Sequence, residues 1–277
     1  AYPRGKVLGG CSSINGMIYM RGQAADYDQW RQSGCTGWGW DDVLPLFRKS
    51  ENHLAGASEA HGTGGELDVT EQRLHWPVLD AVAGAAQEIG IPATDDFNAG
   101  DNEGVGYFPV NQRGGFRWNA RKAFLKPVRN RPNLRIETHA HAQRLSLAEG
   151  RAEAVIYRQN GTLKQARCRG EIVLAAGAVN TPQLLELSGI GNPELLHALD
   201  IPVALEAPGV GENLQDHLQI RTVFRITGAL TLNDRMRTLL GRAQIALEYA
   251  LRRSGPMSMA PSQLGIFTRS SPAFRKV

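Results

Sequence analysis

A run poor in side chains near the start of the chain is the strongest candidate for chemistry. Two strand-forming residues, Val7 and Leu8, lead into Gly9 and Gly10, and the small residues Cys-Ser-Ser follow at 11–13. Glycine permits unusual backbone dihedrals and the close approach of a ligand. We therefore interpret the run as a place where a flat ligand lies against bare peptide. A tight loop between two core segments is the alternative, because glycine pairs are common in turns.

Asn15 adds a polar side chain to this run, and its carboxamide can both donate and accept hydrogen bonds. Gly16 then leads into an apolar segment at 17–20. We expect a binding site made mostly of backbone groups, with one amide beside them.

A second candidate site lies where an apolar stretch, residues 171–177, ends in glycine. We predict a strand there and a helix after it, capped by Asn180 or Thr181 and with Pro182 at its start. The N-terminus of a helix presents free N–H groups and a positive dipole to an anionic ligand. An ordinary strand-to-helix connection explains the same pattern equally well.

Helical periodicity and end signals predict the helices that surround these runs. Asp41 is expected to cap one helix, Asn119 another, and the pair Asn192-Pro193 a third. Pro77 suits the first position of a fourth. The predicted helices cover 23–31, 41–50, 77–89, 119–128, 193–199 and 237–251.

The clearest hairpin joins residues 152–158 to 162–168 through Asn160 and Gly161, the residue pair favoured in type I′ turns. Further strands are predicted at 134–136, 201–205 and 223–226, and a loop is predicted over 54–74. We find no internal repeats.

Composition excludes several classes of protein. The 277 residues are enough for one large domain or two ordinary ones, and the formal charge of +4 is small for that length. Lys and Arg are scattered and form no basic stripe of the kind that binds nucleic acid. The three cysteines form no Cys-x-x-Cys pair, which favours free thiols in a reducing compartment. No apolar run approaches the ~20 residues of a membrane helix.

Several catalytic and metal-binding motifs are missing from the sequence. No Gly-x-Gly continues into the Gly-x-Gly-x-x-Gly that a dinucleotide-binding βαβ unit requires, and there is no Gly-x-Ser-x-Gly. None of the seven histidines forms a metal-type pair on one helix face. The acidic run at 95–106 lacks the ligand spacing of a calcium loop. We predict no metal site.

Three stretches in order resemble the signatures of the glucose–methanol–choline (GMC) family of FAD oxidoreductases. They are residues 4–22, with Asp26 to Trp30 behind them, residues 177–191, and residues 208–217. The resemblance extends from about Tyr2 to Arg269 and is closest to the choline-dehydrogenase and alcohol-dehydrogenase branch.

The resemblance implies an α/β fold in which part of a Rossmann-like FAD-binding domain is interleaved with part of a substrate-binding domain. The FAD-side segments would be 1–50 and 133–220. The substrate-side segments would be 51–132 and 221–277, with the acidic run near the mouth of the site.

The resemblance also implies the chemistry: an alcohol gives a hydride to flavin N5, and backbone and polar donors stabilise the reduced flavin, which is anionic around N1 and O2. The cofactor-binding positions that it assigns to this chain are Leu8, Gly9, Gly10, Ser12, Asn15, Gly16, Met17, Ile18, Ala142, Ala176, Gly177 and Asp216. Some relatives attach FAD covalently through a histidine where this chain has Ile14. We therefore expect non-covalent FAD.

Two departures from the family pattern limit what this chain is expected to do alone. It has no Gly-rich βαβ unit, and none of its histidines matches the family's catalytic histidine. We expect an internal piece of a longer enzyme, inactive by itself and without a catalytic residue of its own.

The expected partners are a small alcohol and an electron acceptor, either quinone-like or oxygen, with neither nucleic acid nor a transmembrane segment. The expected location is the cytoplasm, including the periphery of the inner membrane. Three alternatives stay open: an oxygen-using alcohol oxidase, a hydroxynitrile lyase of the same fold with a structural flavin, and a binding module that only inherited the fold.

Overall fold

The chain is divided into two compact units. The computed structural model describes residues 2–271. One unit comprises Ala1–Leu134 together with Arg225–Val277, and the other comprises Arg135–Phe224. The finer division into four alternating segments stays a prediction.

Helices occur in both units. Within residues 2–271 the α-helices are α1 (Ala24–Gln32), α2 (Trp40–Ser50), α3 (Pro77–Glu88), α4 (Gly177–Glu186), α5 (Pro193–Ala198), α6 (Leu232–Met236) and α7 (Leu239–Arg252). The predictions at 23–31, 77–89, 193–199 and 237–251 are confirmed to within two residues. Pro77 begins α3, and the Asn192 side chain accepts a hydrogen bond from the Glu194 N–H at 2.8 Å to cap α5.

The start of α2 differs from its prediction. The N-cap is Gly39 rather than Asp41, and the Gly39 N–H donates to the Asp42 carboxylate at 3.0 Å. A carboxylate at the third helical position that reaches back to the N-cap N–H fixes the helix start there. Asp42, and not Asp41, therefore determines where the helix starts.

The start of α4 also corrects a prediction. The helix begins at Gly177, not after Asn180 or Thr181, and Pro182 lies inside it. Gly177 has φ +89°, a left-handed value that favours glycine. The Thr181 hydroxyl accepts a hydrogen bond from the Ala176 N–H at 3.1 Å, so it satisfies a donor just outside the helix.

The helix predicted over 119–128 is two short turns, a π-helical turn at Arg121–Leu125 and a 3-10 turn at Lys126–Val128. Asn119 does cap this segment, because its Oδ1 accepts from the Lys122 N–H at 3.0 Å. Pro127 has no N–H to extend an α-helical ladder, so the segment tightens at that point.

The strands within residues 2–271 are β1 (Glu51–His53), β2 (Leu67–Val69), β3 (Gly104–Tyr107), β4 (Gln112–Arg113), β5 (Phe116–Arg117), β6 (Ala140–Ala148), β7 (Arg151–Gln159), β8 (Thr162–Arg167), β9 (Ile190–Gly191), β10 (Leu205–Glu206) and β11 (Leu264–Phe267). In the second unit β6, β7 and β8 form an antiparallel sheet, and β9 and β10 pair in parallel. In the first unit β1 and β2 pair in parallel, whereas β3–β11 and β4–β5 are antiparallel. This mixture of helices and strands confirms the predicted α/β class.

The predicted hairpin is confirmed as β7 and β8, with Asn160 at φ +51° and Gly161 at φ +78°, as a type I′ turn requires. The strands predicted at 134–136, 171–177 and 223–226 are wrong, and the one at 201–205 is reduced to β10. The loop predicted over 54–74 contains β2. A strand needs a neighbour for its backbone hydrogen bonds. In the described part of the chain, residues 171–176 have none, and Val173 is 82% exposed.

Val110 anchors the candidate run at 8–18 to the first unit. Its side chain is fully buried and clusters with Met17 and Ala260, and Ile18 packs against this cluster. Its backbone bridges to both Ile18 and Thr70. The apolar end of the run is therefore held by core packing.

Asp68 ties three strands of the first unit together. It lies on β2 and accepts hydrogen bonds from Asn52 on β1 at 3.0 Å and from Arg113 on β4, whose Nη2 is 2.7 Å from Oδ1. The Arg113 guanidinium also lies 3.7 Å from the centroid of the Trp118 ring. Burial alone raises the pKa of Asp68, but the hydrogen bonds from Arg113 and Asn52 outweigh it, so the net pKa is lowered.

We predict that Asp68→Asn lowers the free energy of unfolding at neutral pH by about 2 kcal/mol, the scale of a hydrogen bond to a charged group. The free energy of unfolding of this variant should also fall less than that of the unmodified chain when the pH is lowered. Because the folded-state pKa is lowered, the carboxylate stabilises the fold above the ordinary aspartate pKa of about 4. That contribution is lost as the pH falls through the folded-state value.

Urea denaturation at several pH values from 7 down to 2.5 measures the effect. The exposed Glu59→Gln is the control and should follow the unmodified chain. An acid-dependent loss of stability of equal size in Asp68→Asn and the unmodified chain would show that Asp68 does not cause it.

Candidate functional site

The run that contains Gly9 and Gly10 lies at the surface of the first unit. Gly10–Ser13 forms a 3-10 turn, entered through Gly9 at φ +96° and Gly10 at φ +53°. Leu8 is 38% and Ile14 is 51% exposed. The run is therefore not packed into an interior.

The glycines at and near this run differ in how much space surrounds them. A Cβ added to Gly5 would lie 2.2 Å from the Gly10 carbonyl oxygen, and one added to Gly9 would lie 2.6 Å from the Ser13 hydroxyl. A Cβ added to Gly10 meets nothing within 4 Å. Gly5 and Gly9 are thus required by packing within the protein. Gly10 instead presents bare peptide to an open surface, which fits a flat ring.

A second segment, residues 117–121, holds this turn in place, and we call it the clamp segment. The Ala120 N–H donates to the Ser12 hydroxyl at 3.0 Å, and that hydroxyl donates to the Gly9 carbonyl at 2.5 Å. Asn119 Nδ2 donates to the Ser13 hydroxyl at 2.8 Å. The turn that carries Gly10 therefore has a fixed shape even though it has almost no side chains to pack.

Arg117 is the charged member of the clamp segment. Its Nη1 donates to the Ser12 carbonyl at 3.1 Å and to Asn15 Oδ1 at 2.7 Å. Asn15 Oδ1 also accepts from the Met17 N–H at 3.1 Å. Sequence reasoning missed Arg117 and assigned Asn119 only as a helix cap, because more than 100 residues separate both from the run and no local pattern connects the two segments.

The other predicted positions of the run serve the fold in this structure. A Cβ added to Gly16 would lie 3.2 Å from Pro261. Met17 is buried, and its carbonyl accepts from the Asn111 N–H at 2.8 Å. A cofactor contact at Gly16, Met17 or Ile18 stays a prediction.

The predicted positions of the second unit are each exposed or partly exposed. Ala176 precedes α4 and Gly177 begins it, so the glycine and the helix N-terminus are present although the strand before them is not. Ala142 lies on β6 opposite Tyr157. The Asp216 carboxylate accepts a hydrogen bond from the His217 N–H, in a segment without regular structure. Their role in cofactor binding stays a prediction.

A buried charge network in the first unit includes Arg21, a few residues after the run. Arg21 Nη2 is 2.8 Å from Glu51 Oε2, and the side chains of both residues are at most 1% exposed. Glu51 also lies 3.0 Å from His61 Nδ1 and accepts from the Gly62 N–H at 2.9 Å. His61 Nε2 lies 2.8 Å from Asp96. Pairing and hydrogen bonding of this kind offset the cost of burying charged groups.

His53 stacks on His61, with ring centroids 4.0 Å apart. Burial lowers the pKa of His53, and the adjacent His61 lowers it further. We find no group of His, Cys, Asp and Glu arranged as a metal site within residues 2–271.

A cleft of about 820 Å³ also lies within the first unit. Asp95 and Asp96 of the acidic run line it, together with Tyr107. Burial, followed by the hydrogen bond that Tyr107 donates to Asp80 at 2.6 Å, raises the pKa of Tyr107 to about 12. Tyr107 is therefore a hydrogen-bond donor at neutral pH.

Comparison with known proteins decides the family. The family model described as GMC oxidoreductase matches residues 1–219. The chain belongs to the GMC oxidoreductase family. The resemblance that the three signatures predict is thereby confirmed.

Individual relatives agree with this assignment. Mitochondrial choline dehydrogenase of Mus musculus is 40% identical over 98% of this chain and 45% of that protein. Oxygen-dependent choline dehydrogenase of Brucella ovis is 39% identical over 97% of this chain and 48% of that protein. The solved structure of an FAD-dependent oxidoreductase from Chaetomium thermophilum matches with a TM-score of 0.84 and 30% identity, over 94% of this chain and 48% of that one. The chain spans about half the length of the curated relatives it matches.

No helix within the described range is both long and apolar enough to cross a membrane.

We predict that Arg21→Met destabilises the protein by about 3 kcal/mol, because it leaves the buried Glu51 carboxylate without its cationic partner. Arg31→Met is the matched control. Arg31 pairs with Asp28 at the surface, where a salt bridge contributes about 0.5 kcal/mol. Guanidinium denaturation gives the free energy of unfolding of both variants. Equal losses would show that the buried network contributes no more to stability than a surface pair.

Proposed function

We propose that the protein to which this chain belongs binds FAD and oxidises an alcohol to an aldehyde or ketone. The observation that carries the proposal is the open peptide at Gly10, fixed in a left-handed turn by the clamp segment. Membership of the GMC oxidoreductase family supports it. The names of the relatives, choline dehydrogenase and FAD-dependent oxidoreductase, agree with it.

In this proposal the backbone from Leu8 to Ser12 lies beside the flavin ring, and Asn15 supplies an amide next to it. On the family resemblance, the N-terminus of α4, which begins at Gly177 directly after Ala176, would supply N–H groups and a positive dipole for the pyrophosphate. Bound FAD would supply the hydride acceptor that no amino-acid side chain offers. The protein's part is to hold the ring and to place donors where negative charge develops.

The proposed FAD is non-covalent. Ile14, which stands where some relatives attach the flavin through histidine, has a hydrocarbon side chain without a nucleophile. Ala142 and Asp216 complete the proposed cofactor set on the basis of the family resemblance alone. The assignment of segments 1–50 and 133–220 to FAD, and of the others to substrate, belongs to the same proposal.

The proposed substrate is a small alcohol, with choline as the first candidate because two relatives carry its name. The proposed acceptor is a quinone-like compound or oxygen, and the name of the Brucella ovis relative favours testing oxygen directly. A cytoplasmic location is proposed because Cys11, Cys35 and Cys168 are all free thiols. No observation supports the expected place at the periphery of the inner membrane.

We predict that the chain quenches FAD fluorescence on binding and that Gly10→Asn weakens this binding at least tenfold. Asparagine tolerates the left-handed backbone of Gly10 better than other residues, but its side chain covers the bare peptide. The control is Gly114→Asn, at φ +56° with an equally open Cβ position in the β4–β5 turn.

Melting temperatures of both variants show whether they fold. Equal FAD affinity in the Gly10 variant and the unmodified chain would show that the flavin does not rest on this peptide. An absence of binding in the unmodified chain would contradict the proposed cofactor role of this chain.

We predict no alcohol-dependent reduction of a dye acceptor by the purified 277-residue chain, because no histidine in it matches the family's proton acceptor. Choline and primary aliphatic alcohols are the test substrates, under air and under nitrogen. Dye reduction would overturn this expectation. Cleavage of a hydroxynitrile without dye reduction would favour the lyase alternative.

A further inference from the structure

The carboxamide of Asn15 has a fixed orientation. Two groups lie within hydrogen-bond distance of Oδ1, the Met17 N–H at 3.1 Å and Arg117 Nη1 at 2.7 Å. Both groups can only donate. The end of the amide that faces them must therefore be the oxygen.

The other end of the amide is a donor directed away from these partners. Asn15 is exposed, and within residues 2–271 its Nδ2 has no acceptor. The sequence predicts a side chain that donates and accepts at once, whereas the structure leaves only the donating group for a ligand. Asn15 lies next to the turn that carries Gly10, and Arg117 contacts both, because the same Nη1 binds the Ser12 carbonyl at 3.1 Å.

Arg117 is itself held in place from two sides. It ends β5, which pairs with β4 through Gln112 opposite Arg117. Its carbonyl accepts from Lys122 Nζ at 2.7 Å. The guanidinium therefore meets Asn15 from a fixed backbone and not from a free loop.

We propose that Arg117 is a positioning residue that makes Asn15 a donor toward the acceptor atoms of a bound flavin. The inference rests on the proposed function. Flavin gains negative charge on reduction, so a fixed donor binds the reduced form more strongly than the oxidised form. Arg117 thus favours reduction without touching the flavin.

The test compares the affinities of the full chain for oxidised and for reduced FAD, the latter under anaerobic conditions. Arg117→Met should lower the affinity for reduced FAD about tenfold more than that for oxidised FAD, the effect of one hydrogen bond to a charged group. For a two-electron couple this is a fall of about 30 mV in the potential of bound FAD. Arg117→Lys should restore part of the difference, because an ammonium group still donates to Oδ1.

Arg129→Met, an exposed arginine after the 3-10 turn at Lys126–Val128, is the control for loss of a positive charge and should leave the ratio of affinities unchanged. If Arg117→Met does not fold, Asn15→Asp changes the other residue of the pair and tests whether the Asn15 amide donates to the flavin. It replaces the donor with a carboxylate and should lower the affinity for reduced FAD by more than tenfold relative to oxidised FAD, because two negative groups then face each other.

Equal weakening of both affinities by Arg117→Met, or no change in either, would overturn the inference and leave the proposed function standing. An unchanged ratio in Asn15→Asp would overturn it as well. Failure of the unmodified chain to bind FAD in either state would overturn the proposed cofactor role together with this inference. A selective loss of affinity for reduced FAD, with partial recovery in Arg117→Lys, is the result that supports it.

Discussion

The shape of the candidate site depends on hydrogen bonds between the Gly9–Gly10 run and the clamp segment. Glycine-rich backbone loses much conformational entropy when it is ordered, and it has few side-chain contacts to offset that cost. The hydroxyls of Ser12 and Ser13 replace those contacts, because they bind partners at 119–120 and the turn's own backbone. An open ligand surface and a fixed turn are compatible only through such polar contacts.

The far end of the run is held in a different way. Met17 is packed against Val110 and Ala260, and a few residues later Arg21 enters the buried network with Glu51. Glu51 receives donors from Arg21, His61 and the Gly62 backbone, so its charge is compensated on several sides. The run therefore begins as an exposed, polar turn and ends in a buried, packed segment. Only a few residues are open to a ligand, and packed and paired side chains hold the segment that follows them.

Features coded over a few residues were predictable from the sequence, and pairings over long distances were not. Pro77 at the start of α3, the Asn160-Gly161 turn and the Asn192 cap depend on local backbone chemistry and are confirmed. The strand at 171–177 was predicted from its apolar content, but a strand also needs a neighbour, which sequence pattern does not supply. The contacts of the clamp segment could not be predicted for the same reason, because Arg117 and Ser12 are 105 positions apart in the sequence. Family resemblance supplied the chemistry of the run but not the residues that orient it.

Because polar contacts hold the turn to the clamp segment, opening of the turn and opening of the core depend differently on temperature. Opening this turn exposes little apolar surface, so the change in heat capacity is small and the equilibrium is governed by the enthalpy of a few hydrogen bonds. The core around Val110 opens with a large change in heat capacity and has a temperature of maximum stability. Warming therefore loosens the turn steadily while the core is still near its optimum.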